Sequence, residues 1–335
     1  MSRIAIMGSG AWGTAIAISL ARRGGHQIAL WSFDASVADA MRTQRENTAF
    51  LPGFRLPEAI NVTAQAGEAL DGAEVIVSVT PSQFIRASFQ GFAPYLSASQ
   101  LLVSATKGIE DRTYLRMSEV MEQVLSQHGL GLRCGVLSGP SFAQEVAAGA
   151  PTALAIASAD ASLATRVQRE FSSNCLRLYT NDDIVGVELG GSLKNVIAIA
   201  AGIVTGLGLG YNSNAALITR GIAEITRLAV ACGGRRETLS GLSGLGDLVL
   251  TCTGSLSRNR TVGQELGKGR GLEEILAGLG GHVAEGVRTT SAALGLARRH
   301  GVEMPIAEQM EAILMHGKSP QRAIEELMVR PGRDE

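Results

Sequence analysis

One lysine in the second half of the chain, Lys194, is positioned to move a proton. It follows the glycine-rich residues 190–193 and comes immediately before a strongly apolar helical stretch, residues 196–201. Burial lowers the pKa of a lysine, as does a second cation nearby, and a lysine that titrates near the working pH can serve as a general acid or base. The alternative is a lysine whose stem lies along the helix while its ammonium stays in water. Position alone leaves both interpretations open.

A single carboxylate, that of Asp247, lies within a glycine-rich and apolar run over residues 241–252. An ionised aspartate in such surroundings needs a cation or several hydrogen-bond donors to offset its desolvation. It could orient a lysine or accept a hydrogen bond from a substrate hydroxyl. The alternative is an aspartate that caps the segment that follows it.

Ser257, Arg258 and Asn259 indicate a helix start that binds an anion. Ser257 is a suitable N-cap, which places the next two residues in the first helical turn. A guanidinium, an amide and the backbone N–H groups of a helix start together form an anion site. An arginine there opposes the helix dipole, and a bound anion would resolve that conflict. A solvated turn with a serine cap is the alternative.

Two apolar segments that resemble buried strands are followed by residues that could meet a ligand. Lys107 follows residues 100–105, and Gly139 and Ser141 follow residues 133–137. In open sheets with helices on both faces, ligands bind outside the carboxyl ends of the strands. Lys107 can therefore point into a ligand cleft, although ordinary turn chemistry would also account for these residues.

The chain begins with a strand, residues 3–7, that runs directly into a glycine loop. Gly8 permits the tight turn, Gly10 lets a pyrophosphate approach the backbone, and Gly13 lets the next helix pack on the sheet. The N-terminus of that helix offers N–H groups and partial positive charge to phosphates. A second apolar strand ends just before Asp34, about 20 residues after the glycine loop. In dinucleotide-binding proteins an acidic residue at this position binds the ribose of the cofactor. These features predict a dinucleotide site; a glycine-rich turn without a ligand is the alternative.

These groups need a scaffold in which strands and helices alternate. Apolar runs bounded by glycine and proline and interleaved with amphipathic segments are typical of a parallel sheet with helices on both faces. After residue 183 the strand signals stop and helical periodicity dominates. We therefore expect a Rossmann-like, doubly wound, mostly parallel sheet in a cofactor-binding domain (residues 1–183), followed by an all-α C-terminal domain for substrate binding and catalysis (residues 184–335). Strands are predicted at residues 3–7, 28–31, 74–79, 100–105, 133–137, 153–157 and 176–179, and C-terminal helices at residues 187–206, 214–232, 257–267, 272–276, 289–300, 306–314 and 321–329.

Composition excludes several classes of protein. With 335 residues, 45% of them hydrophobic, and a net charge of −1, the chain has the composition of a two-domain globular protein without the basic surface of a nucleic-acid or membrane binder. The apolar residues 196–210 are too few to span a membrane. The cysteines form no CxxC pair, and no metal-ligand spacing occurs. We expect a cytoplasmic protein with the reduced thiols of Cys134, Cys175, Cys232 and Cys252.

The chain resembles the NAD(P)-dependent glycerol-3-phosphate dehydrogenases of the bacterial type over nearly all of residues 4–328. Several separate segments carry the resemblance in the family's order: residues 8–15, 105–108, 138–143, 190–195, 244–252 and 257–260. It implies reversible hydride transfer between NAD(P)H and dihydroxyacetone phosphate to give sn-glycerol 3-phosphate, which supplies the backbone of phospholipids.

The resemblance also implies roles for individual residues. Lys194 would exchange a proton with the C2 oxygen, Lys107 would reach both cofactor and substrate, and Asp247 would hold the substrate end of the site. Further substrate contacts are implied for Gly139, Ser141, Ser257, Arg258 and Asn259. Besides the three loop glycines, cofactor contacts are implied for Ala11, Trp12, Phe33, Lys107, Ala143, Arg258, Val283 and Glu285.

The cofactor is expected to be NAD or NADP, and the sequence favours NAD. Phe33 stands where NADP-preferring members often have a basic residue, and no adjacent cation would meet a 2′-phosphate. Asp34 could repel that phosphate. Arg42 and Arg45 lie further along the chain and could still reach it.

Two rival functions stay open. Another Rossmann dehydrogenase with a helical second domain, such as a hydroxyacid dehydrogenase or a ketopantoate reductase, would share the glycine loop and a lysine but not the anion site at residues 257–259. A non-catalytic NAD-binding sensor would not need Lys107, Lys194 and Asp247 together. The expected partner is a small phosphorylated substrate, with no nucleic acid, no membrane span and a homodimer as the assembly.

Overall fold

The computed structural model describes residues 2–279 and 284–331. The chain divides into two compact units: Met1–Lys107 with Leu115–Glu188, and Gly108–Tyr114 with Leu189–Glu335. The first unit contains strands β1 (Ser2–Met7), β2 (His26–Trp31), β3 (Glu46–Asn47), β4 (Leu51–Arg55), β5 (Ile60–Thr63), β6 (Val75–Ser78), β7 (Leu101–Ser104), β8 (Arg133–Ser138), β9 (Thr152–Ala157) and β10 (Leu176–Asn181).

Eight of these strands form one sheet in the order β10-β9-β8-β7-β6-β1-β2-β5. The strands run parallel except at one place, where β9 is antiparallel to β8 with Leu137 opposite Ile156. The helix between those two strands has only six residues, Ala143–Ala148, and spans about 9 Å. A six-residue strand spans about 20 Å, so this helix cannot return the chain to the other end of the sheet, and the next strand reverses. A mostly parallel sheet, as predicted, is confirmed.

Helices cover both faces of the sheet, which confirms the doubly wound class. Along β1, Ile4 and Ile6 belong to one buried cluster, and Ala5 and Met7 belong to a second, because successive side chains of a strand point to opposite faces. The helices of this unit are α1 (Ala11–Arg23), α2 (Ala35–Gln44), α3 (Ala66–Leu70), α4 (Ile85–Phe92), α5 (Met117–Gln127), α6 (Ala143–Ala148) and α7 (Ala161–Phe171).

The second unit is helical, and no strand follows β10 among the residues that the structure describes. An all-α C-terminal part is therefore confirmed. Helix α8 starts in the first unit and continues in the second. The helices are α8 (Ile184–Gly206), α9 (Tyr211–Ala231), α10 (Arg236–Leu239), α11 (Asp247–Thr253), α12 (Arg258–Gly267), α13 (Leu272–Ala277), α14 (Glu285–Arg299), α15 (Pro305–His316) and α16 (Pro320–Met328).

Helix α8 is the one described helix that is long and apolar enough to cross a membrane, and 89% of its apolar window is buried inside the protein. A core helix has this composition because apolar side chains surround it on all sides.

Helices α8 and α12 touch through their backbones. A Cβ atom added at Gly202 would come within 2.0 Å of the Arg260 carbonyl oxygen, and one added at Gly263 would come within 1.9 Å of the Ile199 oxygen. Gly206 and Gly267 repeat the contact one helical turn further on. Each helix thus presents two glycines four residues apart, and only glycine lets two helices approach so closely.

A carboxylate is buried where α9 meets the start of α15. Glu224 is 2% exposed and accepts hydrogen bonds from the backbone N–H groups of Ile306 (2.7 Å) and Ala307 (3.4 Å). Its burial raises the pKa of this carboxyl to about 7.

Candidate active site

The glycine loop joins β1 to α1 in the first unit, and its three glycines are needed for different reasons. Gly8 has φ of 133°, which an L side chain rarely adopts. A Cβ at Gly13 would lie 1.9 Å from the Gly8 carbonyl oxygen, so this glycine allows the helix to contact the loop. A Cβ at Gly10 would meet nothing within 4 Å. No protein atom therefore requires a glycine at residue 10, and the space beside it is open to a ligand.

The start of α1 fits the pyrophosphate of a dinucleotide. The first helical hydrogen bond runs from the Thr14 N–H to the Gly10 oxygen at 3.0 Å, so the N–H groups of Ala11, Trp12 and Gly13 precede the helical ladder and can bind an anion. The indole Nε1 of Trp12 is also buried without a hydrogen-bond partner in the described part of the chain. A buried donor in this state is expected where a ligand supplies the acceptor.

The end of β2, where the second predicted strand stops, carries an exposed aromatic ring and a fixed carboxylate. Phe33 is 89% exposed, and its ring meets Trp31 edge-on at 6.2 Å between centroids. Asp34 caps α2, accepting hydrogen bonds from the Ser36 hydroxyl (2.7 Å) and backbone N–H (2.8 Å). These bonds hold the pKa of the Asp34 carboxyl below its ordinary value.

The strand-end residues Lys107, Gly139 and Ser141 lie together in the first unit. The Gly139 carbonyl oxygen accepts hydrogen bonds from Lys107 Nζ at 3.2 Å and from Ser141 Oγ at 3.0 Å. Gly139 has φ of 140°, and Ala143 is the first residue of α6. Residues predicted to touch substrate and cofactor from two different strand ends are thus within one hydrogen-bonded group.

Lys194 and Asp247 form a buried ion pair in the second unit. Lys194 Nζ donates to Asp247 Oδ1 and, at 2.7 Å, to Thr251 Oγ1. The lysine is 7% exposed and the aspartate 0% exposed. Lys194 lies inside α8 and precedes the apolar residues 196–201 of the same helix, in agreement with the helix predicted over residues 187–206. The alternative of a solvated ammonium is excluded, because the ammonium is buried and the carboxylate offsets its desolvation.

A π-helical turn, Leu242–Gly246, places Asp247 at the start of α11. Turns of this kind are frequently found at functional sites. A Cβ at Gly244 would lie 2.0 Å from the Leu239 carbonyl oxygen, so the turn requires a glycine there. No side chain caps α11, and the carboxylate of Asp247 binds Lys194 instead. The alternative of a capping aspartate was therefore wrong.

The predicted anion site lies at the start of α12. Ser257 is the N-cap, and its hydroxyl oxygen accepts from the Arg260 N–H at 3.2 Å. Arg258 is exposed, whereas Asn259 is buried. The side-chain oxygen of Asn259 accepts from the Gly286 N–H at 3.0 Å, which leaves the amide nitrogen as the donor that a ligand would meet.

Helix α14 begins beside this anion site. A Cβ at Gly286 would lie 2.6 Å from the Asn195 carbonyl oxygen and 2.9 Å from Asn259 Oδ1. Glu285, a predicted cofactor contact, is the first residue of α14. Val283, also predicted to contact the cofactor, lies outside the described residues.

Sequence reasoning missed the glycine pairs that join α8 to α12. Lys194 belongs to α8, and the predicted anion site at residues 257–259 begins α12, so these contacts set the distance between the two groups within the second unit. The signal was present as two pairs of glycines spaced four residues apart. That the two pairs face each other depends on the tertiary structure, which their spacing in the sequence does not predict.

In residues 2–279 and 284–331, no three His, Cys, Asp or Glu side chains are grouped so that they could hold a metal ion. The Cys252 thiol, near Lys194, has its pKa raised to about 12 by burial, so it is not a nucleophile at neutral pH. A doubly wound sheet with an open glycine loop, followed by a helical unit that holds a buried lysine–aspartate pair and a serine-capped helix start with an exposed arginine, is typical of the class of nicotinamide-dependent dehydrogenases.

Comparison with known proteins identifies the family within that class. Residues 3–164 match the N-terminal part, and residues 183–325 the C-terminal part, of NAD-dependent glycerol-3-phosphate dehydrogenase. The chain belongs to this family, and the resemblance seen in its motifs is confirmed.

Similar proteins cover the whole chain. A glycerol-3-phosphate dehydrogenase [NAD(P)+] of Acidobacterium capsulatum is 66% identical over 100% of both chains. The corresponding protein of Koribacter versatilis is 60% identical over 100% of this chain and 99% of its own. A crystal structure of glycerol-3-phosphate dehydrogenase from Coxiella burnetii, 40% identical, superposes with a TM-score of 0.94 and covers 98% of this chain and 99% of its own.

Proposed function

We propose that this protein catalyses the reversible transfer of a hydride between NAD(P)H and dihydroxyacetone phosphate to give sn-glycerol 3-phosphate. The observation that carries the proposal is the Lys194–Asp247 pair, buried in the same unit as the Ser257–Asn259 anion site. A ketone that carries a phosphate needs both a proton carrier for its oxygen and an anion site for its phosphate. Membership of the family supports the same reaction.

In this proposal Lys194 is the general acid and base. When bound, the nicotinamide supplies or accepts the hydride at C2. As C2 of the ketone gains a hydride, negative charge builds on its oxygen, and the ammonium of Lys194 stabilises that charge and then gives the oxygen a proton. In the oxidation direction the neutral amine takes the hydroxyl proton. Asp247 and Thr251 hold the lysine in place in both directions.

Substrate recognition is proposed to depend on a site for the phosphate and on groups that contact the rest of the molecule. Arg258, Asn259 and the N-cap residue Ser257 would bind the phosphate, because a helix start with a guanidinium favours a dianion. Lys107 would contact both the substrate and the cofactor. Gly139 and Ser141 would also touch the substrate; the Gly139 carbonyl oxygen accepts hydrogen bonds from both Lys107 Nζ and Ser141 Oγ, which keeps the three residues together.

The cofactor is NAD or NADP, and we propose that NAD is preferred. The Arg45 guanidinium donates to the backbone oxygens of Ile60 (3.2 Å) and Leu56 (3.2 Å), and Arg42 pairs with Asp39. Both arginines are engaged elsewhere, and the ionised Asp34 would repel a 2′-phosphate. We expect kcat/KM for NADH to equal or exceed that for NADPH, and Phe33→Arg to shift the ratio toward NADPH. A wild-type preference for NADPH of about tenfold or more would contradict the proposal.

The reaction itself is tested by following NADH and NADPH oxidation with dihydroxyacetone phosphate. Ketopantoate and the non-phosphorylated ketone dihydroxyacetone serve as competing substrates. Efficient turnover of the phosphorylated ketone alone is expected. A preference for ketopantoate would favour the rival dehydrogenase, and binding of NADH without turnover of any ketone would favour the sensor.

We further propose that the product supplies the backbone of phospholipids, and that the enzyme works in the cytoplasm as a homodimer. Family membership supports the first role, and the separate free cysteines suit a reducing compartment. Loss of the gene should create a requirement for glycerol 3-phosphate.

Analytical ultracentrifugation should show twice the mass of one chain; a monomer at micromolar concentration would contradict the dimer.

A further inference from the structure

A buried asparagine reaches the glycine loop from the small hairpin formed by β3 and β4. Asn47 is 0% exposed. Its Nδ2 donates to the Ser9 carbonyl oxygen at 2.7 Å and to Thr14 Oγ1 at 2.8 Å. Its Oδ1 accepts from the Phe50 N–H at 3.1 Å, which closes the hairpin turn. Both amide hydrogens of Asn47 are thus directed at the glycine loop and the first turn of α1.

The Ser9 carbonyl oxygen is held by two donors. Besides the Asn47 amide, the Thr14 hydroxyl donates to it at 3.2 Å. Thr14 is itself 0% exposed. A carbonyl oxygen has two lone pairs, so the two bonds satisfy it and fix its direction.

That direction determines where the next N–H group points. The Ser9 carbonyl and the Gly10 N–H belong to one planar trans peptide, in which the two groups point in opposite directions. Because the carbonyl is drawn towards Asn47 and Thr14, the Gly10 N–H is turned away from the protein interior. A Cβ at Gly10 would meet no protein atom within 4 Å. The space next to Gly10 is therefore available to a ligand.

We propose that Asn47 is a positioning residue for cofactor binding: it orients the Ser9–Gly10 peptide so that the loop presents its N–H groups to the pyrophosphate before the cofactor arrives. This inference rests on the proposed cofactor site at the glycine loop. Preorganised donors bind more tightly because the ligand does not have to order them. Asn47 touches neither cofactor nor substrate, and its effect is expected on cofactor affinity and not on the chemical step.

The test compares Asn47→Asp with Asn61→Asp. The first variant keeps the shape and the acceptor for Phe50, but places an oxygen against the Ser9 oxygen. The second introduces the same charge on an exposed position of β5 in the same unit. Kd for NADH is measured by fluorescence titration, and adenosine, which lacks the pyrophosphate, is measured as a competitive inhibitor. We expect Asn47→Asp to raise Kd for NADH at least about tenfold, and to change the adenosine inhibition constant and saturated kcat less than about twofold.

Thr14→Val, which removes the other donor to Ser9, provides a second measurement if Asn47→Asp does not fold. It should raise Kd for NADH about three- to tenfold, the scale of one neutral hydrogen bond, again without a matching change for adenosine. Equal losses for NADH and adenosine would overturn the proposal, because they would show that the hairpin contact merely holds the unit together.

A further variant, Gly10→Ala, separates this inference from the cofactor site itself. If Gly10→Ala weakens NADH binding while Asn47→Asp and Thr14→Val do not, the positioning role is overturned and the cofactor site stands. If none of the three variants changes Kd for NADH, the glycine loop is not the cofactor site, and both ideas are wrong.

Discussion

Replacing Gly10 by alanine should separate cofactor binding from folding. The residue has φ of −62° and ψ of 176°, which alanine adopts without strain, and the new methyl group would meet no protein atom within 4 Å. Alanine is a poorer N-cap than glycine, which destabilises the folded protein, but it lowers the entropy of the unfolded chain, which stabilises the folded protein. The two effects on stability are of similar size. The free energy of unfolding should therefore change by less than about 0.5 kcal/mol.

The substitution should instead weaken the binding of the cofactor through its pyrophosphate. In the proposed cofactor site, a methyl group at residue 10 would occupy the open space through which a phosphate would approach the N–H groups of Ala11 and Trp12 at the start of α1. Losing one charge-assisted hydrogen bond costs about 1.5–3 kcal/mol, which raises Kd for NADH roughly 10- to 150-fold.

Gly13→Ala is the matched control, since it makes the same chemical change three residues away. Its methyl group would lie 1.9 Å from the Gly8 oxygen, so helix and loop must separate, and the melting temperature should fall clearly. Thermal unfolding by circular dichroism and fluorescence titration with NADH measure the two effects. Wild-type affinity in folded Gly10→Ala would refute a pyrophosphate at this loop, and unfolding of that variant would refute the steric reasoning.

Three further outcomes are expected. Lys194→Met keeps the stem volume but should lower kcat at least about 100-fold while Kd for NADH stays unchanged, and near-normal turnover would remove the lysine from proton transfer. Arg258→Ala should raise KM for dihydroxyacetone phosphate roughly 10- to 150-fold and hardly change KM for dihydroxyacetone; equal losses would remove phosphate recognition from this arginine. Glu224→Gln should change how stability depends on pH, because the folded carboxyl has a pKa of about 7, against the ordinary 4.5. Below pH 4.5 the carboxyl is protonated in both states. Between 4.5 and 7 only the unfolded chain releases the proton, so wild-type stability falls as pH rises, by at most about 3 kcal/mol. Urea unfolding at several pH values should show that the glutamine variant lacks this decline, and parallel curves for both proteins would contradict the assignment.

Local chemistry made part of the site predictable. The strand before Gly8, the glycine spacing and the serine cap at Ser257 each follow from backbone requirements of neighbouring residues, and the structure has the strand, the loop and the cap at those positions. The N-terminal boundary of α14 was harder to predict: the predicted start at residue 289 lies four residues inside the observed helix. Helix starts without a side-chain cap leave little signal in a sequence.

Features that depend on distant residues could not be predicted in the same way. Asn47 is 38 residues from Ser9, in a hairpin of two short strands that has no strong periodicity. The antiparallel direction of β9 depends on the length of the helix before it and not on the apolar run that identified the strand. The partner of Lys194 is 53 residues away; a carboxylate in an apolar run predicted that Asp247 needs a cation, but not which one.

The backbone contact between α8 and α12 affects how this enzyme can change over generations. Because glycines at residues 202, 206, 263 and 267 bring main chain against main chain, no side chain acts as a spacer between the helix of Lys194 and the helix that starts at the proposed anion site. Neighbouring apolar residues can then be exchanged for others of different volume without altering that spacing. The four glycines cannot be exchanged without altering it. A library of random variants selected for activity should therefore accumulate amino-acid changes throughout the surrounding core while these four glycines are retained.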